Sequence, residues 1–186
     1  MSRTRMSGLR NPSSLKPFDG DGKDTVRVVI ETPKGSRNKY AFDAEEKVFV
    51  LRTVLPTGMD FPYDFGFVPS TLAEDGDPID VLVLMDEPAF AGCVLECRLI
   101  GVIRGEQKDG KKKTRNDRIV AVQQDTHSYS AFTNIRDLGK PFVHELEEFF
   151  VNYHRLSGKE FKVLDVQGPR EARRCIDQAR KTYRRK

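Results

Sequence analysis

Asp75, Asp77 and Asp80 crowd the turn Glu74-Asp75-Gly76-Asp77-Pro78-Ile79-Asp80, and the apolar run Val81-Leu82-Val83-Leu84 follows at once. Gly76 frees the backbone for an unusual φ, and Pro78 fixes its own. Carboxylates this close repel one another and stay ionised together only beside cations. A hard divalent ion such as Mg2+ prefers carboxylate oxygen and keeps water for substrate chemistry. The plain alternative is a solvated acidic turn, since Asp and Gly favour turns on conformational grounds alone. What separates the two is company. Glu31, Glu106 and Asp117 are further acidic candidates, with Asn116 beside Asp117. Lys39, Arg52 and Arg118 are the basic candidates, joined by Lys34 and Arg37, and Tyr153 offers a hydroxyl or a core ring. Carboxylates for a metal and cations for phosphate oxygens suit hydrolysis of a phosphate compound, where the metal brings the pKa of a water toward neutrality.

Strand ends and loops must deliver these groups. Val26, Val28, Val29 and Ile30 form a β-branched run that ends at Glu31-Thr32-Pro33, a strand with Glu31 at its far end. Lys34 to Lys39 is a basic loop, suited equally to an anion and to solvent. Tyr40–Asp43 and Val48–Arg52 read as a hairpin with Lys39 and Arg52 on or beside it. Phe61–Pro69, aromatic but broken by proline and glycine, reads as a short edge or bulged strand. Asp80 heads a buried strand, and Cys93–Arg104 is a long β segment. Asp109-Gly110 signals a hairpin turn, which lets Glu106 and Asn116-Asp117-Arg118 reach a common site. Beyond Pro141, Phe142, Leu146, Phe149, Phe150 and Tyr153 recur at helical spacing. Phe161–Val166 is a last strand, and Pro169 opens a helix with Ala172, Cys175, Ile176, Ala179 and Tyr183 on one face. The predicted class is α+β, mainly β: a mainly antiparallel barrel with two C-terminal helices.

The length of 186 residues implies one domain, placed at 25–186. Residues 1–24 carry Arg, Ser, Pro and Gly without periodicity and are expected to form a disordered extension. No apolar run is long enough for a membrane helix, and no secretory leader is read. The three cysteines are an odd set, read as reduced thiols of a cytoplasmic protein, and a zinc site on Cys93 and Cys97 would lack ligands. The net charge is +4 with a pI near 9.0, modest enough that the basic runs read as solvated faces and no nucleic-acid partner is required. There is no P-loop, and an EF-hand starting at Asp75 fails because Asp80 stands where that loop needs Gly.

Four stretches together carry a family resemblance: Glu31-Thr32-Pro33-Lys34-Gly35-Ser36-Arg37-Asn38-Lys39-Tyr40, Phe61-Pro62-Tyr63-Asp64-Phe65-Gly66-Phe67, Asp75-Gly76-Asp77-Pro78-Ile79-Asp80-Val81-Leu82-Val83, and Glu148-Phe149-Phe150-Val151-Asn152-Tyr153. In order and spacing the chain resembles the soluble family I inorganic pyrophosphatases. The resemblance implies an OB-like five-stranded barrel, several Mg2+ ions, hydrolysis of inorganic pyrophosphate to two phosphates, and permits a homo-oligomer. It implies that Asp75, Asp77 and Asp80 are metal ligands, with Asp77 also orienting or deprotonating the attacking water. Glu31 would support the metals through water; Lys39, Arg52 and Tyr153 would hold phosphate. The family's late acidic pair falls near Glu106-Gln107 and at Asn116, and Arg118 stands for a lysine. Glu106 and Asn116 are therefore candidate metal ligands and Arg118 a candidate phosphate ligand. Ala41, Phe61, Phe65 and His154 also depart from the family pattern.

Two other readings compete. One is a diverged relative acting on another phosphoanhydride. The other is a non-catalytic OB-like module for single-stranded nucleic acid, against which the acidic residues count, because carboxylates repel phosphate unless metals intervene.

Overall fold

β-Branched and apolar residues run unbroken through two segments, β5 (Asp80–Leu84) and β8 (Arg118–Gln123), and the fold explains why. A strand buried on one face alternates; a strand buried on both is apolar throughout. Val81 and Val83, with Ile119 and Ala121, join a core that includes Val26, Val28 and Ile30. Leu82 and Leu84, with Val120 and Val122, join a second core around Phe61, Phe65 and Phe150. The computed structural model that carries these features describes residues 11–18 and 25–185.

The remaining elements are β1 (Thr25–Thr32), β2 (Asn38–Asp43), β3 (Val48–Val54), β4 (Asp64–Phe67), β6 (Val94–Asp109), β7 (Lys112–Arg115) and β9 (Glu160–Gln167), with helices α1 (Lys140–Leu156) and α2 (Pro169–Tyr183). Pairings β1–β4, β4–β5, β5–β8, β8–β6 and β6–β1 close a ring of five strands. This is the expected mainly β class with two C-terminal helices, and one seam corrects the antiparallel expectation: β5 and β8 are parallel, with Asp80 opposite Arg118. β6 is long enough to extend beyond the ring and also pair with β7 and β9. β2 and β3 form a separate two-stranded sheet.

β4 is not an edge strand. Pro62 and Pro69 lie outside it, so it bonds β1 on one side and β5 on the other. α1 covers the second core through Leu146 and Phe150, and α2 covers the first through Ala172, Ile176 and Ala179. Tyr183, expected on the buried face of α2, is exposed at the last turn.

The expected extension 1–24 lies mostly outside the described residues. Its described part, residues 11–18, is tied to the ring rather than loose. Phe18 bridges Val26, Arg27 N donates to Pro17 O, and Ser70 N donates to Ser13 O. Arg173 and Arg180 of α2 lie over the Phe18 ring at 3.8 and 4.9 Å.

Candidate active site

The turn before β5 takes the conformation its residues dictate. Gly76 has φ +97°, a region that favours glycine, and Asp77 N donates to Asp75 Oδ1 at 3.2 Å. Burial pushes the Asp75 carboxyl up to about 6, aided by the charges of Asp80 and Asp77. Asp77 is also raised, by burial and then by Asp80, while Lys39, Arg118 and Arg52 pull it back. Acid groups from one turn and cations from β2, β3 and β8 thus act on one point.

Glu31 ends β1 and is buried. Its Oε1 accepts from Phe42 N at 2.8 Å and its Oε2 from Lys39 Nζ at 3.2 Å. Desolvation raises its pKa, and Lys39 opposes that. Lys39 Nζ lies over the Phe65 ring at 4.1 Å and Phe61 at 5.7 Å, so aromatic faces steady the ammonium where sequence reasoning saw only a departure from the family pattern. Arg52 is exposed and reaches Asp43 at 3.4 Å. Tyr153 packs on Phe61 at 5.7 Å and Phe149 at 6.0 Å. Burial raises its pKa, and Asp80, Arg118 and Glu31 all act on it.

The head of β8 is built differently from expectation. Arg118 Nη1 meets Asp80 Oδ2 at 2.7 Å and also donates to Asn116 Oδ1. Asn116 Nδ2 donates in turn to Gln107 Oε1 at 2.8 Å. The guanidinium lies over Phe150 at 5.4 Å and Phe161 at 5.9 Å. Gly105 makes room for Phe161: a Cβ there would sit 2.2 Å from the ring's Cζ. Sequence reasoning missed Gln107 as a partner and Phe150 and Phe161 as the seat of Arg118, since apolar spacing marks both rings only as core.

Glu106 and Asp117 are not brought to this cluster. Neighbours along a strand point to opposite faces, so with Gln107 on Asn116, Glu106 turns to Lys113 at 3.0 Å. It lines a separate cavity of about 430 Å3 with Lys108, Arg155 and Lys159. Asp117, between Asn116 and Arg118, faces away to Arg115 Nε at 2.6 Å and Gly105 N at 3.1 Å. Of the basic loop, Arg37 donates to Leu55 O at 2.9 Å, a structural contact, and Lys34 lies over Tyr63 at 5.5 Å. His154 stays neutral: its Nδ1 meets Phe150 O at 2.8 Å, and burial and then Arg118 lower its pKa to about 4.

The donor chemistry decides what metal the site fits. Asp75 and Asp77 are raised by burial and by neighbouring carboxylates, only partly offset by nearby cations, and suit a hard cation. Asp80 is already engaged by Arg118, and Asn116 offers an oxygen already in use. Among the described residues, no group of three or more His, Cys, Asp and Glu side chains is arranged to hold a metal ion.

Residues 28–184 match the family model described as inorganic pyrophosphatase. The chain belongs to that family. An inorganic pyrophosphatase of Nostoc sp. is 37% identical over 94% of this chain and 98% of its own. Soluble inorganic pyrophosphatase 2 of Chlamydomonas reinhardtii is 36% identical over 88% of this chain and 83% of its own. The crystal structure of the inorganic pyrophosphatase from Thermus thermophilus superposes with TM-score 0.85 at 33% identity, covering 94% of this chain and 99% of that one. Within the inorganic pyrophosphatase fold, Asp77 feels the charges of Asp80, Lys39, Arg118 and Arg52, and Tyr153 those of Asp80, Arg118 and Glu31. Among the described residues no helix is long and apolar enough to cross a membrane.

Proposed function

We propose that the protein hydrolyses inorganic pyrophosphate to two phosphates with Mg2+. The observation that carries the reading is the convergence on Asp77 of one like charge, Asp80, and three opposite ones, Lys39, Arg118 and Arg52. A substrate that carries several negative charges needs cations, and a water nucleophile needs a base beside it.

Asp75 and Asp77 would hold the metal. Bound there, Mg2+ supplies positive charge to the phosphoryl oxygens and lowers the pKa of water. The chain's residues do the rest. Asp77, its carboxyl raised by burial and by Asp80, takes the proton from the attacking water. The water oxygen bonds one phosphorus as the bridging P–O bond breaks, and the bridging oxygen leaves with the second phosphate. Lys39, held by Glu31 and the Phe65 face, and Arg52, exposed and paired with Asp43, would carry the charge of the departing phosphate. Tyr153, packed on Phe61 and Phe149, would offer its hydroxyl to the phosphate.

Phosphate release tests the proposal. Purified protein with Mg2+ should release phosphate from pyrophosphate and stop when EDTA is added; no release at any Mg2+ concentration overturns it. Tripolyphosphate and nucleotides alongside pyrophosphate separate a strict pyrophosphatase from a relative acting on another phosphoanhydride.

A further inference from the structure

We propose that Arg118 is a built-in cation that occupies Asp80, so that divalent-metal binding by this chain rests on Asp75 and Asp77 and uses fewer ions. The inference takes the identity of the metal from the pyrophosphatase reading and deepens the account of that site.

The argument is one chain of contacts. Arg118 Nη1 donates to Asp80 Oδ2 at 2.7 Å and to Asn116 Oδ1; Asn116 Nδ2 donates to Gln107 Oε1 at 2.8 Å. At the far end stand two neutral amides, which need no counter-ion and prefer a hydrogen-bond donor to a second cation. Arg118 is locked as well as paired. Its side chain is 5% exposed, lies over the faces of Phe150 and Phe161, and cannot shed its proton. Its Nε has no hydrogen-bond partner among the described residues, so the fork is held through one edge. A metal that claimed Asp80 would have to expel a buried guanidinium into surroundings where Asn116 and Gln107 carry no charge to receive it. Leaving one partner of a buried charge pair alone is costly. Asp75 and Asp77 meet no such obstacle. Burial and neighbouring carboxylates oppose their charges, Lys39, Arg118 and Arg52 act on them only from a distance, and among the described residues neither makes an ion pair.

Arg118 is then a positioning residue, which fixes where positive charge sits before any ion arrives. A protein with a fixed cation in the site retains part of its charge balance when divalent ions are scarce.

The test counts ions without substrate. Mn2+ binding to the full chain, followed by electron paramagnetic resonance, should give one ion per chain. R118Q, which frees Asp80, should add a second ion or tighten binding about tenfold or more. R118K, which keeps a cation, should behave as the parent protein. The double variant Q107E with N116D should also add an ion, which keeps the proposal testable if R118Q does not fold. Two or more ions in the parent protein, one of them lost in D80N, overturn it. So does an unchanged count and affinity in a folded R118Q. Absence of pyrophosphate hydrolysis would sink the proposed function and leave the ion count standing.

Discussion

Asp80 and Arg118 stand opposite each other at the first position of two parallel strands, and their side chains meet at 2.7 Å. The pairing follows from register. β5 and β8 begin together, so the acid that ends the motif turn and the base that opens the later strand share one end of the sheet.

Asp77→Asn keeps the shape and removes the base. Turnover of pyrophosphate should fall about a hundredfold or more, the usual loss of a positioned proton acceptor. Mn2+ binding should weaken far less than turnover, since the amide oxygen remains. Phosphate release and Mn2+ titration on the same preparation check this, and unchanged turnover would remove Asp77 from the central role.

Asp75 makes metal binding depend on pH in a definite direction. Its folded pKa, about 6, lies above its ordinary value of 3.8, so folding favours the proton. The penalty on the folded state is absent below pH 3.8, grows as pH rises toward 6, and is full above it. A cation at Asp75 relieves that penalty and competes with the proton. Mg2+ should therefore raise the melting temperature more at pH 7 than at pH 5. Equal shifts at both pH values, by differential scanning fluorimetry, would contradict it.

His154 has the opposite sign. Its folded pKa, about 4, lies below the ordinary 6.5, so its contribution to stability is complete above pH 6.5 and is lost as pH falls toward 4. The imidazole should show no protonation in an NMR titration between pH 8 and 5; a midpoint near 6.5 would mean the ring is not buried beside Arg118.

Gly105→Ala should destabilise the fold by about 1–3 kcal/mol, the cost of overpacking a filled core. The new methyl meets Phe161, and Gly105 also anchors the start of β8: its O accepts from Asn116 N at 2.9 Å and its N donates to Asp117 Oδ1 at 3.1 Å. Denaturant unfolding reads the loss. Because Phe161 seats Arg118, the same variant should also raise the Michaelis constant for pyrophosphate.

Much of this was legible in the chain. The apolar run after Asp80 read as a buried strand, and the acidic turn in the company of Glu31 and Lys39 pointed to metal and phosphate chemistry. The parallel seam was not legible, because the partners are joined through the whole of β6 and β7, and hydropathy carries no direction. Glu106 misled because a hairpin turn signal brings both neighbours to the right end of the strand without saying which one faces in: Ile103, Gly105 and Gln107 share one face of β6, and Glu106 turns to the other. Gln107 read as a departure from the acidic pair and Asn116 as a candidate metal ligand. Only coordinates reveal that two amides and a guanidinium form a continuous chain in their stead.

The two-stranded sheet of β2 and β3 is separate from the ring in its strand pairing, and Lys39 and Arg52, the cations proposed to hold phosphate, ride on it, while Asp80 heads a ring strand and Asp75 and Asp77 lie on the turn before it. A pyrophosphate that touches both is therefore a mechanical cross-link. It would add to ties the hairpin already has, through Glu31 to Phe42 N and Lys39 and through Thr32 to Tyr40. Hydrogen exchange through residues 38–54 should slow when the site is filled, while the amides of β5, already buried, stay as slow as before.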